Sequence, residues 1–505
     1  MGHISKKLGF DKKFLNNIML LTDSYKATHW LQYPEGTTKV HSYLESRGGK
    51  FDNTVFYGLQ YFIKEYLTGT VVTPKKIKKA KKFWDAHLGP GKFNKEGWEY
   101  IYQEHGGRLP VKICAVPEGT PVGVKNVLVT IENTDPKVPW LTNWLETILL
   151  EVWYPTTVAT LSREIKKKLI KYLKMTTSYS NEVIGQIVSF QLHDFGFRGV
   201  SSPESAGIGG SAHLLNFLGS DTVVGALLAQ EYYDTDEMVS FSIPASEHST
   251  ITSWTEPFEV KAFENMLDKY PTGIIACVSD SYDIIRACRD YWGTTLRDKI
   301  LSRDGRLVIR PDSGDPIQTL RQVFHILWEK FGGHINDKGF KVLDDHIRVI
   351  QGDGVNFESI GDILNMMVEE GFSVENIAFG MGGALLQRVD RDTQNFAFKC
   401  SYVIVNKKHV DVRKNPIEIN ERGERVQSFK KSKSGAVKLL SRGIDTNNNG
   451  DQFYTEENPK NNKGNLLVPV FEDGKLLVDY NYMFIRKNAE VNIDKVLVDE
   501  LESVE

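Results

Sequence analysis

The chain has 505 residues, 41% hydrophobic and 25% charged, and its 62 basic and 65 acidic residues leave a net charge of −3. That length exceeds one ordinary core and predicts two domains or three, while the near balance of charge gives no global reason to expect nucleic acid or an anionic membrane as partner. Four scattered cysteines, Cys114, Cys277, Cys288 and Cys400, show no paired metal-ligand spacing and read as reduced, buried thiols of a cytoplasmic protein.

In chain order, Lys6, Lys7, Lys12 and Lys13 flank a short apolar run that Asn16 and Asn17 interrupt, which argues against a signal peptide. Lys39 to Leu44 reads as a strand and Pro74 to His87 as a helix. Leu109 to Glu132 alternates around turn residues such as Pro117-Glu118-Gly119 and predicts a small set of strands. A helical region runs from about Leu141 to Tyr172; its apolar stretch Leu145 to Leu161 contains Glu151 and Pro155, so a buried helix explains it better than a membrane span. From Ser189 to Arg388 the rhythm changes. The apolar runs Ile274 to Val278, Leu307 to Ile309, Ile347 to Ile350 and Ile377 to Phe379 each end in small or polar residues and are followed by helical patterns. Parallel strands with crossover helices look like this. In a barrel their carboxyl ends converge on one mouth; an open doubly wound sheet is the alternative, and it too places ligands at strand ends. After Lys399 the chain turns polar and β-like, with a hairpin turn at Asn420 to Gly423, a mobile loop at 443 to 464, and an acidic end read as a solvated tail or helix end.

Four constellations carry chemistry. In His193-Asp194-Phe195-Gly196-Phe197-Arg198-Gly199, Phe195 offers a flat apolar face and Arg198 a planar fork suited to phosphate, although a core phenylalanine and a surface arginine would read the same way. In Ser242 to Thr250, His248 sits among hydroxyl residues at a helix start, where a histidine can act as base, anion ligand or phosphoryl acceptor, or be structural; Ser249 or Thr250 could be plain caps. Asp280, Asp312 and Asp353 each follow an apolar run and can hold ribose hydroxyls or a Mg2+ ion through its water shell, or else cap a helix. Gly380-Met381-Gly382-Gly383 lets backbone N–H groups approach a phosphate, with Arg391 and Lys399 close behind, or is only a tight turn. Neither a P-loop nor a dinucleotide fingerprint is present.

Through these residues, and through Thr22-Asp23-Ser24-Tyr25-Lys26, Thr54 to Gln60, Ala115 to Gly119, Glu132 to Asp135, Leu141 to Trp144, EHSTIT from Glu247, VSDSYDI from Val278, IRPDSG from Ile309, VIQGDGV from Val349 and FKCSYV from Phe398, the chain resembles the nicotinamide phosphoribosyltransferases of the type II phosphoribosyltransferase family along nearly its whole length. The resemblance implies an α/β protein: an irregular α/β barrel over residues 161–394 and a second α+β domain built from both chain ends, 1–160 and 395–505. It implies condensation of nicotinamide with 5-phosphoribosyl-1-diphosphate to nicotinamide mononucleotide and diphosphate, with Mg2+ and with ATP that phosphorylates His248, in a homodimer with shared active sites and no nucleic-acid or membrane partner. Carried onto this sequence, Phe195 and Tyr25 of the partner subunit sandwich the ring, and Asp221 accepts from the carboxamide nitrogen. Arg310 lies near the ring and sugar; Asp312, Gly352 and Asp353 hold the ribose; Arg198, Gly382 and Gly383 bind the 5′-phosphate. Arg47, Arg391 and Lys399 of the partner subunit face the diphosphate, Asp280 stands near Mg2+ and diphosphate, directly or through water, and Asp23 and Ser242 join the substrate-binding set. Ala276 and Ala397 replace serines of some members, and Met381 and Ala384 alter the glycine-rich segment, which predicts modest changes of affinity. Residues 412–465 match poorly and receive no site. Nicotinate phosphoribosyltransferase is the nearest alternative, with Asp221 as discriminator, and a non-catalytic binding protein on this fold is the other.

Overall fold

The computed structural model describes residues 16–420, 422–428, 431–442 and 453–498. The lysines up to Lys13, residues 443–452 of the expected loop and the acidic end from 499 lie outside the described residues. The chain forms two compact units, Met1–Thr160 with Leu228–Asp236 and Asp390–Ala489, and Leu161–Leu227 with Glu237–Val389 and Glu490–Glu505. Residues 228–236 thus group with the chain ends and 490–498 with the middle, unlike the expected boundaries.

The first unit is organised by a seven-stranded sheet, in order Lys408–Asp411, Phe396–Val405, Thr37–Ser46, Val127–Asn133, Val111–Ala115, Val468–Glu472, Lys475–Leu476. Strands from both ends of the sequence interleave: Tyr43 pairs with Lys399, and Ile113 with Phe471, all antiparallel. Against it pack helices with clear boundaries. Pro74–Leu88 starts with Pro at its first turn and a Thr73 side chain accepting from the Lys76 N–H, and ends at Gly89. Its buried Trp84 belongs to an aromatic cluster with Trp98, Trp140 and Trp144, edge to face at 4.9 to 6.4 Å. Burying each such side chain contributes roughly 1.5–3 kcal/mol, and the Trp84 and Trp144 indole N–H groups donate to the Met19 and Ile18 carbonyls.

In the second unit, six parallel strands run in the order Gly219–Ser220, Leu192–Asp194, Ile377–Met381, Ile347–Gln351, Asp304–Arg310, Thr272–Val278. The two edges do not stay open. Segment 241–246 bridges to Gly219 on one side and to Ala276 on the other, with the Ser220 N–H on the Phe241 carbonyl at 3.1 Å and the Ser246 N–H on the Ala276 carbonyl at 3.0 Å. The sheet therefore closes into the expected irregular barrel, and the doubly wound alternative is excluded. Ile347–Gln351 is buried at every position, as a parallel strand covered on both faces must be. Inside, Ala276, Val308 and Ile350 pack with Phe195, Ile243 and Ala378.

Two local readings change and one holds. Phe453–Glu457, expected in a loop, is a strand paired with Val437–Ser441. Asn420 and Gly423 do form the expected hairpin turn, between Ile417–Ile419 and Arg425–Gln427. All four cysteines are free, but Cys114 and Cys400 are only half-buried. Burial pushes the Cys277 and Cys288 thiols up to about 12, so they stay protonated and inert at neutral pH. Among the described residues no helix is long and apolar enough to cross a membrane.

Candidate active site

The carboxylates at the strand ends escape the one bland role open to them. Three helices follow the strands, and their caps are Asp283, Asp315 and Asn356, whose side chains accept from the first-turn N–H groups. Asp280, Asp312 and Asp353 each lie three residues earlier, on the loops at the barrel mouth. The capping chemistry is thus filled by other residues, and these three side chains are available for something else.

Two of them flank His248, the first residue of the helix His248–Thr252, and one hydrogen-bonds it. Its Nε2 lies 3.1 Å from Asp280 Oδ1 and its Nδ1 3.9 Å from Asp312 Oδ2. Asp280 is nearly buried, and its Oδ2 accepts from the Asp312 N–H at 2.8 Å and the Ser313 hydroxyl at 2.5 Å. Asp312 Oδ1 in turn receives the Arg310 guanidinium at 2.8 and 3.2 Å. Ser249 and Thr250 serve the helix start, donating to Glu247 and accepting from its N–H. The result is a continuous row, histidine, carboxylate, carboxylate, arginine, in which each charge is fixed by a partner.

Arg310 also reaches the face of Phe195, 5.8 Å from guanidinium carbon to ring centre. The Phe195 ring lies directly over Gly380, where a β-carbon would come within 2.0 Å of it, so that glycine is a steric requirement of the ring's position. Gly352 backs onto Arg310, Asp312 and Phe195, and Gly199 onto Gly382 and Gly383. Asp221 is exposed and accepts from the Ser242 hydroxyl at 2.5 Å. A cavity of about 740 Å³ is lined by Phe195, Arg198, Asp221, Glu247 and Arg310, among others. Asp353 is exposed on its loop beside Gly352.

The remaining expected residues lie in the first unit and form a group of their own. Tyr25 is 59% exposed, its ring edge to face with His29 at 4.8 Å, and Asp23 receives the Thr147 hydroxyl at 2.8 Å. Burial lowers the Lys399 pKa; Glu146 opposes this, while Arg47, Lys414 and Arg391 reinforce it. Arg47 is held by Glu45 at 3.1 Å, yet its Nη2 is buried without a hydrogen bond. Glu146 also pairs with Lys26 at 2.6 Å. Reading the sequence missed Glu146 and Lys414: each stands in an ordinary helical or polar stretch, and only the fold brings them to Lys399.

As to Mg2+, the donor set is informative. Both Asp280 oxygens are engaged by protein donors, and among the described residues no three His, Cys, Asp or Glu side chains are grouped to hold a metal. These residues fit an ion that brings its own phosphate and water ligands, with Asp280 reaching it through water, better than a resident ion in a protein cage.

A parallel barrel with arginines, an aromatic face and glycines at its strand ends is the frame of the site, and comparison with known proteins places it in the phosphoribosyltransferase class. The sequence family described as Nicotinate phosphoribosyltransferase (NAPRTase) family matches residues 190–440, and the one described as Nicotinamide phosphoribosyltransferase, N-terminal domain, matches residues 17–113. The fold is shared with a nicotinate-nucleotide pyrophosphorylase from Pyrococcus furiosus, at TM-score 0.55 and 16% identity over 97% of each chain. Human nicotinic acid phosphoribosyltransferase gives TM-score 0.50 and 17% identity over 93% of each. Among sequences, the nicotinamide phosphoribosyltransferase of Xanthomonas campestris is 48% identical over 94% of this chain and 99% of its own. That of Acinetobacter baylyi is 32% identical over 95% and 98%. The chain belongs to the nicotinamide phosphoribosyltransferase family.

Proposed function

We propose that the protein condenses nicotinamide with 5-phosphoribosyl-1-diphosphate to nicotinamide mononucleotide and diphosphate, as a cytoplasmic homodimer. The observation that carries this reading is the meeting, in one cavity, of the Phe195 face, the Asp221 carboxylate and the Arg310 guanidinium. A ring fits the first, a carboxamide NH2 donates to the second, and the third attracts the sugar phosphate. The pyridine nitrogen is already a nucleophile, so the protein need supply no strong base. Its task is to align that nitrogen with the anomeric carbon and to stabilise charge as diphosphate departs.

Arg198, Gly382 and Gly383 receive the 5′-phosphate; Asp312, Asp353 and Gly352 hold the ribose. Arg47, Arg391 and Lys399 face the diphosphate, and Tyr25 covers the ring, these four contributed by the partner subunit, while Asp23 joins the substrate-binding set. Mg2+ bound to the diphosphate supplies charge neutralisation on the leaving group, with Asp280 oriented toward its water shell.

His248 is the residue through which ATP acts. Its Nε2 is held by the Asp280 carboxylate while Nδ1 is left without a hydrogen bond to Asp312 at 3.9 Å, an arrangement that orients an imidazole as a phosphoryl acceptor. Phosphorylation would place an anion next to Asp280 and Asp312, changing affinity for the substrates. Incubating the protein with both substrates and Mg2+ should yield mononucleotide and diphosphate one to one, and the absence of both would overturn the proposal. Adding ATP should raise the rate of the native enzyme and leave His248→Ala at its unstimulated rate; a stimulated mutant would refute the role of His248.

A further inference from the structure

The floor beneath Asp221 contains a residue to which the reaction as described gives no task. The strands Leu192–Asp194 and Gly219–Ser220 pair in parallel with His193 opposite Gly219. Side chains two apart along a strand share a face, so His193 and Phe195 lie on one side of the sheet with Gly219 and Asp221. The Asp221 N–H bonds the Asp194 carbonyl at 2.9 Å, which fixes that register past the strand ends. The imidazole occupies the place of the missing side chain: a β-carbon on Gly219 would lie 2.6 Å from its Cε1 and Nδ1. Its ring centre is 6.3 Å from that of Phe195. On the other side, His213 Nε2 meets the Gly219 carbonyl at 3.2 Å while its Nδ1 meets the Ser162 hydroxyl at 2.8 Å, so the short strand is clamped.

Asp221 therefore has a neutral hydroxyl, Ser242, as its hydrogen-bond donor and an imidazole beside it. The nearby Arg310 is already engaged by Asp312. Burial pushes the His193 pKa down, against the pull of Asp221 and of a hydrogen bond to the Phe190 backbone. A cation at position 193 would do the opposite of what is found: it would neutralise Asp221 and make the pocket hospitable to an anionic base.

We propose that His193 is a specificity-determining residue: wedged over Gly219 beside Asp221, it keeps an uncharged group against that carboxylate and so maintains the repulsion that excludes nicotinate. The inference rests on the reading of Asp221 as acceptor for the carboxamide.

The test is initial-rate kinetics with nicotinamide and with nicotinate on the parent, Asp221→Asn, His193→Asn and His193→Lys. His193→Lys should lower the ratio of the two kcat/KM values by about tenfold or more, as expected when a charge is matched or mismatched in a pocket. The change should fall on KM for the base and not on KM for 5-phosphoribosyl-1-diphosphate. His193→Asn, neutral and able to keep the backbone bond, should retain the preference. A folded His193→Lys with the parent's ratio, or a His193→Asn that loses the preference equally, overturns the proposal. Should the lysine variant not fold, His193→Arg, which likewise places a fixed cation beside Asp221, must lower the ratio, and an unchanged ratio there overturns it as well. Parental preference in Asp221→Asn would instead sink the reading of Asp221, so the two failures are distinguishable.

Discussion

The two units treat charge in opposite ways. In the barrel unit, the Asp280 carboxylate is bonded by His248 and by the Asp312 N–H, and the Asp312 carboxylate by Arg310, so each acid has a donor of its own. In the other unit, Arg47, Arg391, Lys399 and Lys414 crowd together with Glu146 as the acid that acts on Lys399. Like charges at close range are costly unless a counter-charge arrives, so the second arrangement supports the proposal that a multiply charged anion binds there, whereas the first is tied up by its own partners. Arg47 keeps Glu45 and Arg391 keeps Asp392, yet cations still outnumber acids around Lys399, as the proposed diphosphate site requires.

This contrast can be broken experimentally. The largest effect is expected in the barrel row. Asp312→Ala frees Arg310 and one side of His248 at once and should lower kcat/KM by about two to three orders of magnitude, the range for loss of a preorganised charged contact, with secondary structure by circular dichroism unchanged. Next comes Asp221→Asn, which should reduce the preference for nicotinamide over nicotinate by about a hundredfold, read from rates with each base. Lys399→Met should act on the other substrate alone, raising KM for 5-phosphoribosyl-1-diphosphate by roughly tenfold through loss of a charge-assisted contact and leaving KM for nicotinamide as it was. Titration of KM against salt should show a weaker dependence in that variant.

The smallest effect concerns stability. Buried Glu118, in the first unit, accepts from the Gly58 and Gln60 N–H groups and the Tyr233 hydroxyl, yet burial dominates and pushes its pKa up to about 7. A folded-state pKa above the unfolded one means that the native state binds more protons between roughly pH 4 and 7, so stability falls as pH rises through that window. Glu118→Gln should flatten that part of a denaturation profile taken at several pH values. A profile as steep as the parent's would assign the slope to other groups, such as Asp194 of the barrel unit, which burial also raises to about 7.

Much of the barrel was legible because buried parallel strands are continuous apolar runs: Ile347 to Ile350 became Ile347–Gln351, and Ile377 to Phe379 became Ile377–Met381. The closing segment was not, because Ser242, Pro244 and Ser246 break any apolar run and it contributes only isolated bridges. Nor was Gly219–Ser220, two residues long and without a branched side chain. The aspartates were legible as strand-end residues, but their release from capping was not, since Asp283, Asp315 and Asn356 reveal their part only in the helix starts. The cationic group was half legible: Arg47, Arg391 and Lys399 came through the resemblance, whereas Glu146 and Lys414 needed three-dimensional proximity to be seen.

The central claim is that a carboxylate beside an aromatic face selects an amide-bearing ring for transfer to phosphoribose. It is tested most directly by internal competition: equimolar nicotinamide and nicotinate with limiting 5-phosphoribosyl-1-diphosphate and Mg2+, the mononucleotides then resolved by mass. The account predicts nicotinamide mononucleotide in excess by about a hundredfold. Equal amounts of the two mononucleotides, or neither, would contradict it.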